Sequence, residues 1–120
     1  MIKVETKISS AIAILPSKIT AIAKRHLKTR GVKDASIEVE VVGKDKMATL
    51  NKKYMKKDGP TDVLSFPLPK ISTSDNLIGT IVLCRDIIKL NSTISGVDFE
   101  NEFDKNLTHG IDHLLGIHHE

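Results

Sequence analysis

Ser36-Ile-Glu-Val-Glu-Val41 alternates apolar and polar residues with a period of two, whereas Phe99 to Leu115 repeats its apolar residues every three or four. The first pattern predicts a half-buried strand and the second an amphipathic helix. Ile2-Lys-Val4 opens an earlier strand. Pro16 and Ser17 precede Ile19, Ile22, Ala23, His26 and Leu27 at helical spacing, and Gly31 ends that helix after Lys28 and Arg30. Gly43 breaks the alternating strand. A helix follows from Lys44 to Tyr54, with Met47, Leu50 and Tyr54 on one side and Lys46, Lys52 and Lys53 on the other. Lys56 to Pro60 is a turn, and Thr61 to Pro67 is a strand closed by proline. Lys70 to Asn76 is a polar loop. Leu77 to Cys84 is nearly continuous in apolar residues and predicts a strand buried on both faces. Arg85 to Leu90 begins a short helix, Asn91 to Gly96 a loop, and Asp98 caps the last helix.

In that last helix Phe99, Phe103, Leu107, Ile111, Leu114 and Leu115 form one stripe at about 100° per residue. Asn101, Lys105, Thr108 and Asp112 fall opposite, toward water. Glu102, Asn106, His109 and His113 run along one flank, where a cleft wall is expected. Strands alternating with helices predict a single α+β domain spanning residues 1–120, a small mixed sheet packed with helices.

The composition leaves this picture intact and narrows the chemistry. A chain of 120 residues makes one domain and supports its own core. Tryptophan is absent and Tyr54 is the sole tyrosine, which disfavours folds that read bases by aromatic stacking. The net charge of +3 permits a phosphate-rich partner without requiring one. Cys84 stands alone, so no internal disulfide forms, and a reducing cytoplasm is the expected compartment. The run Ala11 to Leu15 is too short for a signal-peptide core, and nothing approaches a membrane span.

Four of the five histidines lie within the last twelve residues, as His109-x3-His113-x5-His119 with Gly116 between the second and third and His118 adjacent to the last. Residues four apart share a helix face, so His109 and His113 converge on one ion. Gly116 then takes the left-handed conformation that ends a helix and returns His119 as a third ligand. Three imidazoles leave the fourth tetrahedral position of zinc open, the mark of a catalytic site. Zinc peptidases carry a glutamate after the first histidine; here that residue is Gly110, so no general base adjoins the ligands. Bound Zn²⁺ lowers the pKa of water to about 7, which makes hydroxide available without one. His26 reads as a surface or core-edge residue and Cys84 as core.

These segments resemble the YbeY family of metal-dependent endoribonucleases and rRNA maturation factors. The family's His-Gly-x-Leu-His-Leu-x-Gly-Tyr-Asp-His stands here as His109-Gly-Ile-Asp-His113-Leu-Leu-Gly-Ile-His-His119. Its Leu-Asn-x-x-Tyr-Arg stands as Leu50-Asn51 and Tyr54-Met55. Its Asp-x-Pro-Thr-Asp-Val-Leu-Ser-Phe-Pro stands as Asp58 to Pro67, and its Leu-Gly-Asp-Ile as Ile78 to Ile81. The resemblance implies a mainly parallel sheet of about four strands, with one Zn²⁺ on His109, His113 and His119. It also implies a cleft between that metal and the Thr61 to Pro67 strand, and action on ribosomal RNA, alone or with ribosomal proteins, in the cytoplasm. The pattern is broken at Met55, which replaces an arginine, at Thr80, which replaces an aspartate, at Asp112, which replaces an apolar residue, and at Ile117-His118, which replace Tyr-Asp.

Lys44, Lys46, Lys52, Lys53, Lys56 and Lys57 cluster around the second helix and its turn. A solvated helix face explains such a run as well as phosphate contact does. Of these, Lys52, Lys53, Lys56 and Lys57 are the expected RNA contacts, and Lys56 or Lys57 is the candidate substitute for the missing arginine, although lysine lacks its planar fork. Beside the endoribonuclease stand two other readings. One is a non-catalytic, metal-containing ribosome-assembly or RNA-binding factor, favoured by Met55 and Thr80. The other is a hydrolase of a peptide laid along a sheet edge.

Overall fold

The computed structural model describes residues 1–68 and 77–117. Its elements run β1 (Ile2–Ile8), α1 (Pro16–Thr29), β2 (Ala35–Val42), α2 (Lys44–Met55), β3 (Val63–Pro67), β4 (Leu77–Cys84), α3 (Arg85–Ser95) and α4 (Phe99–Leu114). The sheet has four strands in the order β1-β2-β4-β3. β1 pairs parallel with β2 and β2 parallel with β4, while β3 runs antiparallel at the edge. The α+β, mainly parallel architecture is the one expected.

Helices cover the sheet unequally. Ile19, Ile22, Ala23 and Leu27 of α1 join Phe103, Leu107 and Ile111 of α4 over Ile37, Val39, Val41, Ile81 and Leu83. This is the main core. On the other face α2 builds a smaller cluster in which Met47 packs with Val42, Leu64, Val82 and Cys84. β4 feeds both clusters, which is why its apolar run has few polar breaks. The rest of the second face is polar: Glu5, Lys7, Glu38, Glu40 and Thr80 line a shallow groove over β1 and β2.

The expected loop from Asn91 to Gly96 is instead the last turns of α3, which ends on left-handed Gly96. The polar run misleads because its hydroxyls bond back into the helix. Ser92 and Thr93 donate to the Lys89 carbonyl, and Ser95 donates to that of Asn91. β3 begins two residues later than expected, at Val63. There the Asp62 carboxylate accepts the Val63 N–H at 2.8 Å and ends the preceding turn. Asp98 caps α4 as predicted, accepting the Asn101 N–H at 2.8 Å.

Candidate metal centre and cleft

α4 lies against β3 and β4, and the approach is close because Gly110 faces the sheet. A Cβ built there would stand 2.9 Å from Ile81 Cγ2, 3.2 Å from Ser65 Oγ and 3.3 Å from Val63 Cγ2. Ser65 Oγ uses the room to donate to the Gly110 carbonyl at 3.1 Å. This contact fixes the helix beside β3 at the level of His109.

His109 and His113 then point along the flank that the stripe predicted. Their ring centroids are 4.5 Å apart with planes inclined at 48°, so the imidazoles address a common space. Both line a cleft of about 390 Å³ whose other walls are Met55, Asp62, Val63, Leu64, Ser65, Lys105 and Asn106. Asn106 is held from behind, its amide donating at 3.0 Å to Glu102 Oε2 within the same helix.

The helix stop is also as expected. The Gly116 N–H donates to His113 O at 3.1 Å, the Ile117 N–H to Asp112 O at 2.8 Å, and Gly116 sits at φ 77°. This pair of bonds is the Schellman arrangement, which turns the chain back over the end of the helix. His118 and His119 lie outside the described residues. Among the described residues no three His, Cys, Asp or Glu side chains form a metal-holding group. The two imidazoles that share the cleft suit a borderline metal such as zinc in their donor chemistry and in the Gly116 reversal that follows them.

Asp112 overturns its expected place. Far from facing water, it is 3% exposed. The His26 Nε2–H donates to its Oδ1 at 2.7 Å, while Arg30 donates from Nε at 2.9 Å and from Nη2 at 2.8 Å to its two oxygens. The bond to this carboxylate raises the Arg30 guanidinium above its ordinary pKa. At Asp112, therefore, α4 meets the end of α1 and not water.

The lysines do not converge on the cleft. Lys52 pairs with Asp58 at 3.0 Å, Lys53 lies 5.1 Å from the Tyr54 ring centroid, and Lys56 donates to the Lys53 carbonyl. Neither Lys56 nor Lys57 lines the cleft, whereas Met55 does. Thr80 does not line it either. It stands directly across from Glu38, which in turn faces Glu5. An aspartate at 80 would meet a like charge there, so the neutral threonine relieves the sheet and leaves the cleft untouched. Three polar wall residues had no cleft role in the sequence pattern: Asp62, Ser65 and Lys105, the last of which was expected to face water. The first two fall inside the Thr61 to Pro67 segment and were within reach of that motif.

The family model described as Endoribonuclease YbeY matches residues 2–120. The chain belongs to the YbeY family. Its relatives include Endoribonuclease YbeY of Aquifex aeolicus, 35% identical over 103 residues, covering 86% of this chain and 69% of that protein. The Staphylococcus epidermidis YbeY is 39% identical over 94 residues, covering 72% and 61%. The YbeY of Anaeromyxobacter dehalogenans is matched over only 53% of its length, so the chain spans between about half and seven-tenths of these three relatives. Among solved structures, the solution structure of TM1509 from Thermotoga maritima superposes with a TM-score of 0.62 at 30% identity, covering all of this chain and 75% of that one. Among the described residues, no helix of this YbeY-family chain is long and apolar enough to cross a membrane.

Proposed function

We propose that residues 1–120 form a single metal-dependent hydrolase domain that cleaves single-stranded RNA in rRNA maturation and ribosome quality control. The observation that carries this reading is the pair of imidazoles, 4.5 Å apart, on the wall of a cleft that the family's own motif residues complete. His109 and His113 would hold one Zn²⁺, and His119 is the third ligand by its spacing after Gly116. A bound zinc ion supplies Lewis acidity at a phosphodiester and hydroxide at neutral pH. The protein's own part is to orient and to bind. Ser65 locks Gly110 and with it the helix turn that carries both rings, and Asn106 presents a fixed amide edge. Lys52, Lys53, Lys56 and Lys57 lie on the α2 side as a general phosphate-gripping surface, which holds RNA without reading its sequence. No general base is assigned. The lone, buried Cys84 suits a reducing cytoplasm.

Met55 in the cleft wall supports a second reading, a metal-containing ribosome-assembly or RNA-binding factor without cleavage. One experiment decides between them. Zinc is counted in untagged protein, and RNA cleavage is assayed with and without chelator for wild type and His113→Ala. The expected results are one zinc per chain and cleavage that falls more than about a hundredfold on chelation or substitution, since even outer partners of metal ligands are worth 10–100-fold. The exposed His113 side chain lets that variant fold. Metal and RNA binding with no cleavage above the chelated control would establish the second reading instead.

A further inference from the structure

Lys105, His109 and His113 occupy one row of α4, each four residues and about 6 Å beyond the last. All three line the same cleft. Lys105 is exposed and takes part in none of the ion pairs found among the described residues. Among the side chains that line the cleft, Lys105 is the one with a permanent positive charge. Met55 shares that lining from α2 and offers only a thioether.

We infer that Lys105 grips an RNA phosphate adjacent to the one at the imidazoles, so that within the cleft the strand follows the α4 wall and not the α2 wall, the α2 lysines holding RNA only outside it. The inference rests on the RNA reading above and assigns the phosphate contact within the cleft to this residue. Two features support it. Lys105 lies one turn before His109 on the same cleft wall, so an ammonium and two rings follow one row at the pitch of the helix. The α2 lysines that could compete stand outside the lining, with Lys52 engaged by Asp58 and Lys53 held over Tyr54. Asp62 on the opposite wall accepts hydrogen bonds from the Val63 N–H and the Thr61 hydroxyl. Its negative charge disfavours phosphate on that side and biases the strand toward α4.

The test is fluorescence anisotropy of oligouridylate and oligoadenylate binding over a salt series. Wild type is compared with Lys105→Met, Lys105→Arg, Lys24→Met and the double variant Met55→Lys/Lys105→Met. Removing one phosphate contact lowers the magnitude of the log-affinity against log-salt slope by about 0.7 for a single strand, and it weakens both oligonucleotides alike. Lys105→Arg is expected to keep the slope, and Lys24→Met, on α1 outside the cleft, to leave it unchanged. A cation placed across the cleft in the double variant is expected to leave most of the loss in place, because the strand follows α4. Full slope retained in Lys105→Met, or full slope recovered in the double variant, overturns the assignment while the RNA reading stands. Wild-type protein that binds neither oligonucleotide overturns both.

Discussion

The carboxylate of Asp112 offers a sharp test of the packing argument. It is 3% exposed and accepts from His26 at 2.7 Å and from two nitrogens of Arg30. Truncation to alanine removes these three bonds at once. A hydrogen bond to a charged group nets about 1.5–3 kcal/mol, and the imidazole bond is counted in full. The guanidinium is one-third exposed and regains water when released, so its two bonds add little to the loss. The expected cost of Asp112→Ala is therefore about 2–3 kcal/mol. At this chain length a kilocalorie moves the midpoint by about 4 °C, giving a fall of about 8–12 °C. Thermal unfolding in chelator measures it without any contribution from a metal. A companion variant, His26→Leu/Arg30→Met/Asp112→Leu, removes the cluster as a unit and is expected within about 1 kcal/mol of wild type, because apolar replacement of a whole buried ion cluster is often neutral or better. The reasoning fails if Asp112→Ala melts within about 2 °C of wild type, the range of an ordinary surface change. It fails equally if the triple variant is as damaged as the single.

Three other contacts can be tested in the same way. Asp86 accepts the Lys44 N–H at 2.7 Å at the start of α2, and its bond to Arg85 lowers its pKa below the ordinary carboxylate range. A lowered folded value gives stability that is present above the unfolded pKa, about 3.9, and is lost as pH falls through the folded one. Asp86→Ala should thus cost about 1 kcal/mol at neutral pH and show a shallower acid limb in urea titrations; equal stability at pH 7 would refute the cap. Gly110→Ala forces a shift against Ile81 Cγ2 at 2.9 Å and should destabilise by about 1–3 kcal/mol while loosening the His109 turn, read as faster amide exchange in α4. Cys84 is fully buried and its thiol is pushed up by that burial, so a disulfide reagent should label it only on unfolding; prompt native labelling would contradict the packing of the smaller cluster.

What the sequence disclosed and what it hid follow from how many partners an element has. Strands and helices that meet one neighbour per face were legible from periodicity: Val39 and Val41 of β2, Ile22 and Leu27 of α1, and the Phe103, Leu107, Ile111 stripe of α4 are all buried as the pattern required. Gly116 was legible because a left-handed helix stop favours a residue without a side chain, and it sits at φ 77°. Asp112 and Lys105 were not legible, for one shared reason. A helical wheel divides residues into a face toward one core and a face toward water, but α4 touches the sheet on one flank and α1 on another. A polar residue on the nominal water side can then be buried by the second neighbour, as Asp112 is, or swing to the lip of a cleft, as Lys105 does. The one hint lay in pairing across elements, since His26 and Arg30, four apart on α1, present two donors on one face toward a single carboxylate. The consequence is functional as well as structural. Asp112 is the residue before His113, and its carbonyl accepts the Ile117 N–H that closes the helix stop. The donors of α1 therefore hold the turn from which the chain leaves toward His119, so a charged cluster in an otherwise apolar position fixes the end of α4 that carries the histidines.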